Sequence, residues 1–224
     1  MRSRLEVALG GESLELLAAG AIHLPARRCL VVADAHFGKA ATFRARGVPV
    51  PQGTTRETLA RIEAVRARTQ PASLVFLGDL FHAPEAHAPA TVAALRAWRE
   101  ANASLEVVLV EGNHDLKAGA LPPGLGIEVR AEPWRVDGLA FCHHPQFVPG
   151  AQALAGHLHP VVRISGRAGD GVRLPCFWLR EGLAVLPAFG SFTGGARFER
   201  EAGDRVVAIA EDRLYEVPSL RDAA

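Results

Sequence analysis

Leu105-Glu106-Val107-Val108-Leu109-Val110 runs without a break into Glu111-Gly112-Asn113-His114-Asp115. The first six residues are aliphatic and β-branched with one charge, the composition of a strand. Gly112 then signals a turn, and three polar functional groups follow at once. The same order recurs along the chain. Cys29–Ala33 leads into Asp34-Ala35-His36, residues 74–77 into Gly78-Asp79, residues 139–142 into His143-His144, and residues 153–155 into Gly156-His157-Leu158-His159. In a sheet protein, strand ends along one edge converge, so groups remote in sequence can share one cleft. Five strand ends carrying Asp, Asn and His therefore predict one polar rim.

Outward from these strands the chain alternates. Residues 54–68 carry Leu59, Ile62 and Val65 at helical spacing, with Pro71 beyond the end. Residues 88–101 place Val92, Leu95 and Trp98 three apart, a second helix with one buried face. Residues 5–9 and 14–18, separated by Gly10-Gly11-Glu12, read as an opening hairpin. Strand, helix, strand, helix, strand up to Val110 implies an α/β fold with partly parallel pairing. After Gly119 short β-prone runs recur at 126–129, 139–142, 161–164, 172–178, 183–186, 206–210 and 214–217, without an amphipathic helix. The expectation is a single domain over residues 1–224, two stacked sheets with outer helices.

Bulk composition narrows the function classes. With 49% apolar residues and a net charge of +1, the chain has the profile of a globular protein without a global basic signature for nucleic acid. No apolar run approaches the length of a membrane span, and the N-terminus lacks a secretory pattern, so no membrane association is expected. Cys29, Cys142 and Cys176 lack paired spacing and read as buried thiols of a cytoplasmic protein. Lys39, Arg44 and Arg46 follow the first Asp-x-His pair within one short loop, where they could contact a phosphate chain.

Asp34 and His36 are two apart, as are His157 and His159, so on an extended backbone each pair faces one side. Asp79 follows a glycine where a strand stops, a position suited to a carboxylate shared by two ions. Asn113 offers a neutral oxygen, and His143 comes directly after a strand. Oxygen and imidazole donors without thiolate favour Mn²⁺, with Fe or Zn²⁺ as alternatives, over Cu. Two such ions about 3.5–4 Å apart would lower the pKa of a shared water and clamp an in-line displacement at phosphorus. His114, beside Asn113, is placed to donate a proton to the leaving oxygen, and Asp115 to orient its imidazole. Taken singly, Asp-x-His or Gly-Asp is an ordinary turn; five pieces in this order are not.

Together, Asp34-x-His36, Gly78-Asp79, Gly112-Asn113-His114-Asp115, His143-His144 and Gly156-His157-x-His159 resemble the calcineurin-type metallophosphoesterase superfamily. The resemblance implies an αββα sandwich of two stacked mixed sheets with the metals on one rim. It implies one metal on Asp34, His36, Asp79 and His159, and a second on Asp79, Asn113, His143 and His157, with His114 as the catalytic histidine. Of the adjacent pair, His143 is preferred as the ligand, since it follows the strand directly, and His144 is placed nearer the substrate. Residues 32–39, 43–51, 156–160, 174–178 and 186–195 are similar to the bacterial DNA-ligase-associated metallophosphoesterase family. That narrower resemblance implies a phosphodiesterase or nuclease acting in DNA repair beside a DNA ligase, a helicase and an exonuclease-like protein. Alternatives at the same site are a phosphomonoesterase or cyclic-nucleotide phosphodiesterase; a non-catalytic repair scaffold is a third reading.

Overall fold

The fold is described from a computed structural model covering residues 2–51, 53–165, 171–191 and 193–219. The chain opens with β1 (Arg4–Leu9), β2 (Glu12–Leu17) and β3 (Ala21–Leu24), followed by β4 (Cys29–Ala33). Next come α1 (Lys39–Ala45), α2 (Thr54–Thr69), β5 (Ser73–Leu77), α3 (Pro89–Ala101), β6 (Glu106–Val110), α4 (Asn113–Ala118) and β7 (Glu128–Arg130). The rest is strand: β8 (Trp134–Val136), β9 (Leu139–Phe141), β10 (Gln152–Ala155), β11 (Val161–Ser165), β12 (Gly171–Arg180), β13 (Leu183–Val185), β14 (Arg205–Ala210) and β15 (Arg213–Val217).

One sheet runs β1-β2-β3-β4-β5-β6-β7, antiparallel up to β4 and parallel from β4 to β7. The other runs β15-β14-β12-β13-β10-β9-β8, with β11 beside β12; its β9-β10 and β10-β13 pairs are parallel. Both sheets are therefore mixed. They stack face to face, and the two-residue period of a strand decides what each face buries. On β4, Val31 and Ala33 point between the sheets and share a cluster with Leu154, Phe177 and Ala184. The alternate residues Leu30 and Val32 meet Leu59, Ile62, Leu95 and Trp98 of α2 and α3. A strand buried on both faces reads as a continuous apolar run, as residues 29–33 do.

The two stacked mixed sheets with helices are as the sequence leads one to expect. Among the described residues every helix precedes β7, and the outer face of the second sheet is covered by connecting segments that bring in Val148, Leu158 and Phe198. Residues 39–45 are not in a loop: Gly38, at φ 74, starts α1 there. Lys, Ala and Arg are good helix formers, so the segment is helical once the turn is made. Strand β3 carries His23 inside a four-residue run and β8 has three residues, both too short to show a period. The strand expected at 126–129 lies at Glu128–Arg130, on the edge of the first sheet.

Candidate metal centre

The parallel register of β4, β5 and β6 aligns Ala33, Leu77 and Val110, so the segments after them leave one edge together. On the other sheet β9 and β10 are parallel and deliver His143 and His157. A bridge between Ala33 and Ala188 and the bond from His157 N–H to Asp34 Oδ2 (2.9 Å) tie the two edges. The backbone there is unusual: Asp34, His36, Asp79, His157 and His159 have φ of 53°, 46°, 50°, 68° and 45°. Left-handed non-glycine residues cost of order 1 kcal/mol each and persist where the surroundings fix them. Here the fixing is reciprocal, with His36 N–H on Asp79 O at 2.9 Å and Phe37 N–H on Leu80 O at 2.7 Å. Glycines make room for the approach. A Cβ at Gly78 would lie 2.1 Å from His143 Nδ1, and one at Gly156 would lie 2.7 Å from Asp34 Oδ2.

Two groups of donor atoms form. In the first, Asp34, His36 and His159 each bring one atom within 4.8 Å of the others. Asp34 Oδ1 and His159 Nε2 face each other at 3.4 Å, and both are buried without a hydrogen-bond partner. His159 Nδ1 lies 3.0 Å from the Gly194 carbonyl, so its proton is there and Nε2 offers a lone pair. Two acceptors in contact need a proton or a cation between them. Burial opposes charge on His159, but the Asp34 carboxylate and the Gly194 carbonyl outweigh it and raise its pKa. Burial, reinforced by Lys39 and neighbouring imidazoles, pushes His36 far down, which keeps it neutral and able to bind a metal.

In the second group His143 is fully buried, and its Nδ1 sits 3.1 Å from the Leu77 carbonyl. Its Nε2 therefore presents a lone pair, and around it stand Asn113 Oδ1 at 3.0 Å, His157 Nδ1 at 3.0 Å and Asp79 Oδ1 at 3.4 Å. Burial, with His143 and His144 close by, lowers the pKa of His157. Asp79 lies between the groups: Oδ1 faces the second, while Oδ2 is 3.8 Å from His36 Nε2. Convergent lone pairs of this kind fit divalent cations, and all seven residues expected at the centre, Asp34, His36, Asp79, Asn113, His143, His157 and His159, are brought together.

His114 lies on the rim with Nε2 4.0 Å from Asp79 Oδ2. One expectation is corrected here. Asp115 does not orient His114, because its Oδ1 accepts the Phe81 N–H and its Oδ2 the Gly112 N–H, both at 3.0 Å. Burial, working against those two bonds, pushes its pKa up to about 6. The imidazole of His114 is instead held by the His82 carbonyl, 2.7 Å from Nδ1, and stacks on the His82 ring at 4.8 Å. His82 itself, held down to about 4 by burial and nearby cations, lines the same wall. Lys39 opens α1 beside the centre: burial lowers its pKa, and Asp34 and Asp79 oppose that. Arg44 points away, its Nη1 bonding the carbonyls of Val50 (3.5 Å) and Pro51 (3.2 Å). Thr193 closes a turn onto the Gly190 carbonyl, and Phe192 lies outside the described residues.

His144 lies beside the second group, 4.3 Å from the His157 ring, and brings in a residue the sequence reading missed. Glu132 Oε2 accepts the N–H of both His143 and His144 at 2.8 Å, and Oε1 lies 2.5 Å from His144 Nδ1. Burial works to raise the Glu132 pKa, but these bonds outweigh it and hold the carboxyl below its usual range. A signal for it exists in the chain. Asp137-Gly138 is a two-residue hairpin turn, with φ of 45° and 82°, that pairs Trp134 with Phe141. Continuing that register sets Glu132 opposite His143.

With this geometry in view, residues 27–168 match the family described as calcineurin-like phosphoesterase. Among solved structures, the Pseudomonas putida nuclease MPE is 41% identical over 96% of this chain and 100% of its own, with a TM-score of 0.83. The E. coli phosphoesterase Yfce is 18% identical over 88% of this chain and 94% of its own, at a TM-score of 0.40. No curated protein matches. A family match over more than half the chain, on a rim of convergent Asp, Asn and His donors, places the chain in the calcineurin-like phosphoesterase family, as a metal-dependent phosphoesterase.

Proposed function

We propose that this protein is a phosphodiesterase that cleaves nucleic acid, DNA in particular, at a centre of two divalent cations. One cation would be held by Asp34, His36, Asp79 and His159, the other by Asp79, Asn113, His143 and His157. The observation that carries this reading is the facing of lone pairs, with Asp34 Oδ1 and His159 Nε2 buried at 3.4 Å without a donor. The oxygen and imidazole donor set, free of thiolate, favours Mn²⁺. When bound, the two cations supply a water of lowered pKa and a clamp for the oxygens at phosphorus. Two divalent cations against the two carboxylates of Asp34 and Asp79 would leave the loaded rim positive, which draws in an anionic ester.

The residues around it do the rest. With Nδ1–H committed to the His82 carbonyl, Nε2 is the atom of His114 left to face the leaving oxygen, and in the imidazolium form it can give that oxygen a proton. Lys39 adds positive charge beside the carboxylates, suited to a phosphate oxygen. The diester reading is supported by the likeness to a protein named as a nuclease, and the DNA-repair setting by the family resemblance in residues 32–51 and 186–195. A DNA ligase, a helicase and an exonuclease-like protein are the partners that resemblance suggests. Cytoplasmic placement rests on the three buried free thiols, Cys29, Cys142 and Cys176.

The test is turnover of bis-p-nitrophenyl phosphate and of p-nitrophenyl phosphate by metal-stripped protein, with Mn²⁺, Mg²⁺ or Zn²⁺ restored in turn. Mn²⁺-dependent diester cleavage exceeding monoester cleavage is the expected result. Monoester preference would move the protein to the phosphomonoesterase reading, and silence with every metal would favour a scaffold.

A further inference from the structure

Glu132 lies on the crossing from the first sheet to the second, between β7 and β8, and makes more bonds than a turn requires. We propose that Glu132 is the positioning residue of the His143-His144 tandem, fixing His144 with its proton on Nδ1 and its Nε2 lone pair turned into the cleft. The two oxygens divide the work. Oε2 takes the main-chain N–H groups of His143 and His144, both at 2.8 Å, and so sets where the tandem leaves β9. Oε1 takes the side chain of His144, at 2.5 Å from Nδ1, and Gln146 Nε2 donates to Oε2 at 3.3 Å.

An ionised carboxylate can only accept, so the ring nitrogen facing it carries hydrogen. The tautomer is then fixed as in carboxylate–histidine pairs that orient metal ligands, where the bond made by one nitrogen decides what the other presents. With Nδ1 on Glu132, the nitrogen left to His144 is Nε2, and one ring nitrogen from each of His143, His144 and His157 lies within 4.8 Å of the others. The His144 side chain is 44% exposed, whereas that of His143 is wholly buried. His144 thus shows an acceptor to whatever enters beside the second group. That suits a water or a substrate hydroxyl, and in this tautomer it does not suit a phosphate oxygen, which also only accepts.

This rests on the reading of the rim as a catalytic centre, yet its test does not. The tautomer is read from long-range ¹H–¹⁵N correlation spectra of ¹⁵N-labelled, metal-free protein at about pH 8, above the ordinary imidazole range. His144→Ala identifies the signals. The expected result is Nδ1–H in the native protein, with a shift towards Nε2–H in Glu132→Gln. That variant keeps one acceptor for the main-chain amides, so it should fold, and its retained chemical-shift dispersion checks that it does. A native His144 protonated on Nε2, or the same tautomer in native protein and Glu132→Gln, would overturn the proposal. Failure of the native protein to cleave any diester would count against the proposed function and leave this result standing.

Discussion

Asp115→Ala removes the acceptor of two main-chain amides, those of Phe81 and Gly112, each 3.0 Å from a carboxylate oxygen. Asp115 is 4% exposed, so water does not take over. Each buried donor left without a partner costs about 1–3 kcal/mol. Losing the carboxylate also relieves its own burial, the cause of its pKa of about 6. The net loss should therefore be about 2–4 kcal/mol. That is a large part of the roughly 5–15 kcal/mol of an ordinary domain. Because these amides fix the turns that carry Asp79 and Asn113, cation affinity should fall with stability. Urea unfolding followed by tryptophan fluorescence reads the loss as a lower midpoint at unchanged slope. Asp115→Asn keeps one acceptor and turns an NH₂ towards the second amide, so it should lose part of the same stability. A variant within about 0.5 kcal/mol of the native protein but crippled in diester turnover would refute the reasoning and return Asp115 to His114.

Gly78→Ala should be as damaging through backbone and packing together. Its φ of 74° costs an L-residue about 1–2 kcal/mol, and its methyl would meet His143 Nδ1 at 2.1 Å. Displacing that ring costs a further 1–3 kcal/mol or so, and a drop in melting temperature with lost cation content would show it; native values for both would contradict the packing described. His114→Ala should retain its cations yet turn over a diester about 10²–10⁴-fold more slowly, measured under saturating metal. Native turnover there would remove His114 from the chemistry.

Much of this was legible in the sequence because the two signals used are local. A short, β-branched apolar run such as 29–33 reads as a strand buried on both faces, which sets a polar group straight after it at a sheet edge. Five such strand ends carrying Asp, Asn and His marked the candidate ligands, and the family resemblance implied their division between two cations. What was not legible depends on contacts made across the fold. Nothing in the sequence says that Asp115 finds two main-chain amides before it finds His114, since Phe81 N–H arrives from another loop. His82 holds His114 through its carbonyl, an atom every residue has. Arg44 was expected at the cleft because it follows Asp34 closely, but on α1 it is turned towards Val50 and Pro51. Glu132 was missed because β8 is three residues long, although Asp137-Gly138 marked its hairpin.

The most direct test of the account is cation stoichiometry, by elemental analysis after equilibrium dialysis of metal-stripped protein against Mn²⁺, for the native chain and Asp79→Asn. Asp79 faces both donor groups, with Oδ1 3.4 Å from His143 Nε2 and Oδ2 3.8 Å from His36 Nε2. The account predicts two ions per native chain, and weaker binding at both sites together in Asp79→Asn, with loss of diester turnover. One ion or none in the native chain, or an Asp79→Asn variant that keeps its full metal content and activity, would contradict a shared two-cation centre.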